Sequence, residues 1–387
     1  MRFLHTADWH VGKKLGRIDR AAEFEQVIDE MVAIAKDEKV DVVLVAGDLL
    51  DRSFAPLDSI RLVIDGLIRL ADAAGAVVAM PGNHDSPQLF ELFQRLLAQH
   101  RIMLVPKIAR PDQGGLVDIP SKDGSHHATI AVLPFLHEAQ VVDFMEKTES
   151  WYGGYAERII GLSAQLCAGF DPKGVGILVG HWFIEGAELG GGERRIHLGD
   201  QYAATAHSIP PSASYVALGH IHRPQQIVGS AAPARYAGSL LQLDFSERTH
   251  NKEVVIVDAM PGRPAKVKSI QLKSGRRLMR ITGTIEELEK NASDYGDAYL
   301  DVRVKTDGPR LGLSEQVRKI LPNAVTIQPV YDRIESLVVA SRHDLQRELA
   351  DVYSEYHASS KGHGVPAPDA VLAALRELEE AVTLEAS

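Results

Sequence analysis

The sequence predicts a layered α/β protein, with helices outside a sheet core, followed by a smaller α/β domain and C-terminal helices. Two observations predict it. Through residues 1–260, short apolar runs alternate with segments whose apolar residues recur at helical spacing, the pattern of a sheet flanked by helices. The chain is also 387 residues long, which exceeds one ordinary core and fits two or three domains.

The elements follow in order. "RFLHTA" is a short strand. In "AEFEQVIDEMVAIAKDEKV", Phe24, Val27, Ile28, Met31, Ile34 and Ala35 fall on one helical face. "DVVLVAGD" is a buried strand, and "IRLVIDGLIRLADAAG" is a helix stopped near Gly75. "AVVAMPGNHD" is a strand and loop, and "PQLFELFQRLLAQH" a helix with Pro87 suited to its first turn. "ATIAVLPFL", "GVGILVGHW", "SYVALGHIH" and "EVVIVDA" read as further strands. "DAMPGRPAKVKSIQLKSGRR" reads as a linker, and strand and helix patterns alternate again over 277–340. The remainder, 341–387, holds two helix candidates, "SRHDLQRELADVYSEYH" and "PDAVLAALRELEEAVTLE", joined by the linker-like "ASSKGHGVPAP".

Bulk properties narrow the class. Cys167 is the one cysteine, which excludes a disulfide framework or a thiolate zinc site within one chain and fits a reducing, cytoplasmic setting. The first residues, "MRFLHTADWH", lack the apolar region of a signal peptide, and no apolar run approaches the roughly 20 residues that span a membrane. The formal net charge of −10 means that any nucleic acid must be met by local basic patches.

The chemistry-bearing residues share one kind of place. Asp8 and His10 follow the first strand; Asp48 follows "VVLVAG"; Asn83, His84 and Asp85 follow "AVVAMPG"; His181 follows "GILVG"; His220 and His222 follow "YVALG". The C-terminal edge of a sheet is where α/β folds form ligand sites. Residues i and i+2 of an extended segment point the same way, so each Asp/His or His/His pair can converge. Gly47, Gly82, Gly180 and Gly219 precede four of the groups and permit sharp turns and close backbone approach. Carboxylate, imidazole and amide donors without sulfur suit manganese, iron or zinc, and magnesium alone would not need this much histidine. The donors suffice for two ions, with Asp48 central in order, an arrangement suited to phosphoester cleavage.

The set "DWH", "GD", "GNHD", "GH" and "GHIH" resembles the signature of the calcineurin-like metallophosphoesterases, and the opening "FLHTADWHVGKKLGR" resembles their SbcD nuclease branch, bacterial double-strand-break repair nucleases. The resemblance implies a layered metallophosphoesterase sandwich over 1–260, a small DNA-binding capping domain over 277–340, and C-terminal helices over 341–387 that dock on a coiled-coil ATPase of the SbcC type. It implies two Mn(II) ions, with Mg(II), Fe(II) or Zn(II) as substitutes. Asp8, His10 and His222 would hold one ion, Asn83, His181 and His220 the other, and Asp48 would bridge. His84 would act on the scissile phosphate, and Asp85 would complete the catalytic pair by orienting His84 or supporting its loop. The implied activity is exonuclease cleavage of DNA ends with endonuclease action on single strands or hairpins. Lys13, Lys14, Arg17, Arg20 and Arg52 are candidate contacts to the DNA backbone, or a solvated loop. Archaeal and eukaryotic relatives carry a histidine soon after "GD"; here Asp51 and Arg52 stand in that stretch. A phosphoesterase acting on a small molecule, or a non-catalytic scaffold, are the alternative readings; no motif position is substituted, which disfavours the scaffold.

Two assembly surfaces are expected. "PQLFELFQRLL" carries Leu89, Phe90, Leu92, Phe93, Leu96 and Leu97, a wider apolar surface than one packing stripe needs. With "IRLVIDGLIRL" it is the expected face of a homodimer, which with the ATPase would form a heterotetramer. In the tail, Leu345, Leu349, Val352 and Tyr356 make one apolar stripe, and Val371, Leu375, Leu378 and Val382 another, the form of helices that dock on a partner.

Overall fold

The computed structural model describes residues 1–136, 155–193, 203–308, 310–331, 349–359 and 365–376. The chain first builds β1 (Arg2–Thr6), α1 (Ala21–Asp37), β2 (Val42–Val45), α2 (Leu57–Ala73), β3 (Ala76–Ala79), α3 (Pro87–Ala98) and β4 (Ile102–Leu104). It continues through β5 (Leu116–Pro120), β6 (His127–Leu133), α4 (Tyr155–Cys167), β7 (Val175–His181), β8 (Phe183–Ile184) and β9 (Ala203–Ala204). Then come β10 (Tyr215–Gly219), β11 (Gln225–Gln226), β12 (Ala234–Tyr236), β13 (Glu253–Asp258) and β14 (Lys266–Gln271).

These strands form two six-stranded mixed sheets. The first has the order β14-β13-β1-β2-β3-β4, with β1 to β4 parallel and β13 antiparallel to β1. The second has the order β11-β12-β10-β7-β6-β5, parallel through β12, β10, β7 and β6, with antiparallel strands at both edges. Small β8 and β9 pair apart from both. Strand alternation explains why the central segments read as continuous apolar runs. In β2, Val43 and Val45 pack against α1, α2 and α3, while Val42 and Leu44 face the other sheet. In β7, Ile177 and Val179 face the first sheet and Leu178 packs toward α4. Both faces of these strands are covered, so both sets of side chains must be apolar. The sheet-on-sheet sandwich with outer helices is the expected architecture.

One expectation is corrected. Residues 258–277 are not a free linker, because β14 lies within them and pairs with β13 over six residues. Exposed Lys266 and Lys268 alternate with half-buried Val267 on this edge strand, which hides its periodicity and blunts the edge against further pairing.

The small domain holds β15 (Leu278–Gly283), α5 (Ile285–Lys290), β16 (Tyr299–Lys305), α6 (Leu313–Ile320) and β17 (Ala324–Val330). Its sheet, β15-β16-β17, is parallel, and its core contains Leu288, Leu300, Val302, Val304 and Val317. A capping box, Thr284 with Glu287, starts α5. Residues 1–330 cluster as one compact unit and 331–387 as another. In the second unit, α7 (Leu349–Ala358) and a helix over 369–376 are described. They meet through an Arg376–Asp351 ion pair, and His357 Nδ1 donates to the carbonyl of Val365, in the segment that leads into the second helix. Leu345, Leu378 and Val382 lie outside the described residues. Among the described residues no helix is long and apolar enough to cross a membrane.

Candidate metal centre

Five loops that leave β1, β2, β3, β7 and β10 bring the polar residues together. Asp8 N–H donates to the Gly47 carbonyl and His10 N–H to the Asp48 carbonyl, each at 3.0 Å, which zips the first loop to the second. Asp8 (φ 50°), His10 (φ 49°), Asp48 (φ 54°) and His220 (φ 99°) all occupy left-handed backbone. Non-glycine residues are held there only where the surroundings over-determine them, and such strain gathers at functional sites. Gly47 (φ +89°) needs its own freedom, and a Cβ there would also sit 2.5 Å from His181 Nδ1. Gly82 has no such φ but touches Asp48 so closely that a Cβ would lie 2.2 Å from its Oδ1. The glycine motifs thus serve close approach as much as turning.

Asp48 sits at the centre. Its Oδ2 lies 3.6 Å from His10 Nε2 and 3.4 Å from His181 Nε2, and its Oδ1 accepts from His84 N–H at 2.8 Å. Two groups of donor atoms share it: His10, Asp48 and His84 form one, and Asp8, Asp48 and His181 the other, each within 4.8 Å. On one side the His10 and His222 rings are 4.7 Å apart; on the other the His181 and His220 rings are 5.1 Å apart. Asn83 Oδ1 lies 2.9 Å from both His181 Nε2 and His220 Nδ1. The Asp8 carboxylate accepts from His220 N–H.

The imidazoles are oriented from behind. His181 Nδ1 donates to the Ala46 carbonyl at 2.8 Å, because a carbonyl can only accept, so Nε2 is the nitrogen turned to Asp48. His222 Nδ1 meets Glu247 Oε1 at 3.0 Å, and Glu247 Oε2 accepts from Lys252 Nζ at 2.7 Å. A carboxylate behind a histidine fixes its tautomer and raises its basicity as a ligand. Burial works against the Glu247 charge, but Lys252 and His222 outweigh it and hold the carboxyl at about 2. Burial also pushes the Asp8 carboxyl up to about 6. His181 is pushed up to about 9, since burial favours its neutral form but the Asp48 carboxylate wins.

Both ring nitrogens of His10 are buried without a hydrogen-bond partner among the described residues. Leaving such atoms unsatisfied costs about 1–3 kcal/mol each, and a cation would satisfy one of them through its free lone pair. Nitrogen and oxygen donors around a shared carboxylate fit a pair of divalent ions.

The other expected residues fall as follows. His84 Nδ1 donates to the Asp51 carbonyl at 2.7 Å, and its ring lies 4.6 Å from that of His10. Asp85 is not on that imidazole: its carboxylate accepts N–H groups of Leu49, Leu50 and Gly82, bolting the second loop to the third. Lys13 pairs with Asp51 at 3.2 Å, while Lys14, Arg17 and Arg52 are exposed. A groove of about 780 Å³ takes Lys14 and Arg52, but Asp19, Glu25, Asp58 and Asp65 line it too. Arg20 corrects its expectation as a DNA contact. It is 2 % exposed, with Nε and Nη2 on Glu23 and Nη1 on the Gln242 carbonyl. Glu247 and Lys252 were not legible as site residues, because neither follows a strand motif.

With this geometry in view, the comparisons with known proteins identify the chain. Residues 1–224 match the family model described as calcineurin-like phosphoesterase, and 274–356 match one described as type 5 capsule protein repressor C-terminal domain. The chain is 31% identical over 378 residues to the SbcD component of the SbcCD nuclease of Bacillus subtilis (strain 168), covering 95% of each chain. It is 27% identical to the Escherichia coli (strain K12) protein of the same name, covering 79% of this chain and 78% of the other. With the Rhodobacter capsulatus protein of that name it shares 32% identity, covering 68% and 67%. An aspartate shared by two buried groups of histidine donors is thus set in the sequence framework of a nuclease component, and the chain belongs to the calcineurin-like phosphoesterases, in their SbcD nuclease branch.

Proposed function

We propose that the chain is the manganese-dependent nuclease component of an SbcCD-type complex, hydrolysing DNA phosphodiesters at ends and in single strands or hairpins. The observation that carries this is the sharing of Asp48 between two buried donor groups, one of which includes His10 with both ring nitrogens orphaned. Two ions, when bound, supply a nucleophile at neutral pH and neutralise charge on the phosphate. Asp8, His10 and His222 serve one half of the centre, and Asn83, His181 and His220 the other. With Nδ1 donating to the Asp51 carbonyl, His84 presents Nε2 to substrate. A proton on that nitrogen can be donated to a phosphate oxygen or to the leaving oxygen. The two N–H bonds from Leu49 and Leu50 to Asp85 keep the His84 loop from drifting away from Asp48, and the one from Gly82 holds the loop in its own turn. Lys13, Lys14, Arg17 and Arg52 stand beside the first two motifs, where a DNA backbone would run.

The name shared by the relatives supports a partner ATPase of the SbcC type, and the resemblance supports a homodimer at the centre of a heterotetramer acting in the cytoplasm. The deciding experiment is a cleavage assay with Mn(II)-loaded protein on short single-stranded DNA, blunt duplex and a small phosphodiester. Cleavage of DNA is expected. Hydrolysis of the small ester without any cut in DNA, alone or with the ATPase, would establish the small-molecule reading instead.

A further inference from the structure

The small domain does more than follow the sandwich. It touches the sandwich at one apolar cluster, formed by Leu15, Phe245, Leu278 and Tyr299, with Ile18 and Val325 packed against it. Leu278 begins β15 and Tyr299 begins β16; Val325 lies in β17. Their counterparts lie on two segments, and each segment leads to the same half of the metal centre. Leu15 and Ile18 close a small hairpin, bonded N–H to C=O in both directions, on the loop that runs on from His10. Phe245 opens a turn, Phe245–Glu247, whose last residue holds His222 through its Nδ1.

A polar strut runs beside this cluster. The Tyr299 hydroxyl donates to Glu23 Oε1 at 2.9 Å, and Arg276 N–H donates to Glu23 Oε2 at 2.8 Å. Arg20 grips the same carboxylate through two nitrogens and reaches the Gln242 carbonyl. Gln242 in turn accepts the N–H of Leu278. Arg276 stacks over the Tyr299 ring at 3.9 Å.

The other half of the centre stands on firmer ground. His181 is the last residue of β7, inside the hydrogen-bonded sheet, and the Asn83 loop is bolted by Asp85. His10 lies four residues beyond the end of β1 and His222 three beyond the end of β10; His10 N–H is tied to the Asp48 carbonyl, but the segment that runs on from it packs against the small domain, as does the turn that holds His222. Residues on loops keep ligand geometry only when something outside the sheet fixes them.

We propose that the small C-terminal sheet is a clamp that positions the His10/His222 half of the metal centre and not the His181/His220 half, with Tyr299 as its main positioning residue. Any displacement of the small domain, by a partner or by substrate, would then loosen one metal ion before the other. The proposal rests on the two-metal reading above.

The test is Mn(II) titration of the full chain, by calorimetry and by electron paramagnetic resonance, independent of cleavage. Wild type should bind two ions and give a spin-coupled signal. Tyr299→Ala should keep one ion at wild-type affinity, weaken the other by about tenfold, and replace the coupled signal by that of isolated Mn(II) at intermediate metal. Tyr299→Phe, which deletes only the hydroxyl, should shift the same ion in the same direction by less, and it decides the matter if the alanine variant does not fold. Val302→Ala, in the small-domain core away from the junction, should leave both affinities unchanged. Against Asn83→Ala, Tyr299→Ala should weaken the remaining ion; against His222→Ala it should change nothing. Two ions of unchanged affinity in the folded Tyr299 variants, or equal weakening of both, would overturn the clamp. A wild-type chain that binds fewer than two ions would instead defeat the two-metal reading, and the clamp with it.

Discussion

His181 carries the clearest pH consequence at the scale of single residues. The Asp48 carboxylate keeps the imidazole protonated to about pH 9 in the metal-free protein, and a metal ligand must be neutral. Protons therefore compete with the ion below that pH. Mn(II) affinity should rise with pH through the neutral range, and calorimetry in buffers of different ionisation enthalpy should show protons released on binding. His84 makes the complementary case. His84→Ala should lower cleavage about 10²–10⁴-fold while metal content stays at the wild-type level, because the imidazole acts on substrate. Near-normal cleavage would remove it from the mechanism. Glu23 gives a stability prediction. Burial opposes its charge, but hydrogen bonds from Arg20 and Arg276 prevail and lower its pKa from 4.5. Its contribution is complete above 4.5 and fades as pH falls through the lowered value. Glu23→Ala would leave Arg20 buried without its partner, at a cost of about 3–5 kcal/mol in denaturant melts at pH 7. That these polar residues gather around Asp48 was legible because each follows an apolar run. Arg20 departs from its expectation because its guanidinium is buried on Glu23 and on the carbonyl of Gln242, 222 positions away, whereas Lys14 and Arg17 are exposed.

At the scale of elements, α3 stands out. It buries Phe90 and Leu97, yet leaves Leu92 67% and Leu96 59% exposed on another face. Between α2 and α3 an apolar crevice is lined by Ile60, Ile64, Leu89 and Phe93 among others. A second copy covering this face would hide all of it from water. Leu92→Glu with Leu96→Glu should shift a dimer to monomer in light scattering, with little change in helix content. A wild-type chain that is monomeric at micromolar concentration would count against the dimer. The helices α1, α2 and α3 could be read from periodicity alone. Strands such as β8, β9 and β11, with two residues each, carry too short a pattern to be read. Strand β14 was hidden for another reason: an edge strand is half wet, and its lysines resemble a linker.

For the whole molecule, residues 331–387 cluster separately from the catalytic unit. In the second unit, Val352 and Tyr356 of α7 are exposed, as a docking face requires. Deleting the chain after His343, a position outside the described residues, should abolish binding to the ATPase and spare Mn(II)-dependent cleavage of short single-stranded DNA. Unchanged affinity for the ATPase would show that the tail does not dock there. The strands and helices of the small sheet were legible because periodicity restarts after residue 277, whereas the junction of that sheet with the sandwich was not. Leu15, Phe245, Leu278 and Tyr299 are far apart in the chain and share no motif.

The pairing of β1 with β13 has a consequence for how the protein is made. Arg2 and Asp258 face each other across that ladder, 256 positions apart. At translation speeds of about 5–20 residues per second, one edge of β1 waits roughly ten to fifty seconds for its neighbour to leave the ribosome. During that time Phe3 and an unsatisfied row of backbone groups are open to other nascent chains. Messages truncated between codons 223 and 253 should therefore yield insoluble product, even though they encode every one of the proposed metal ligands.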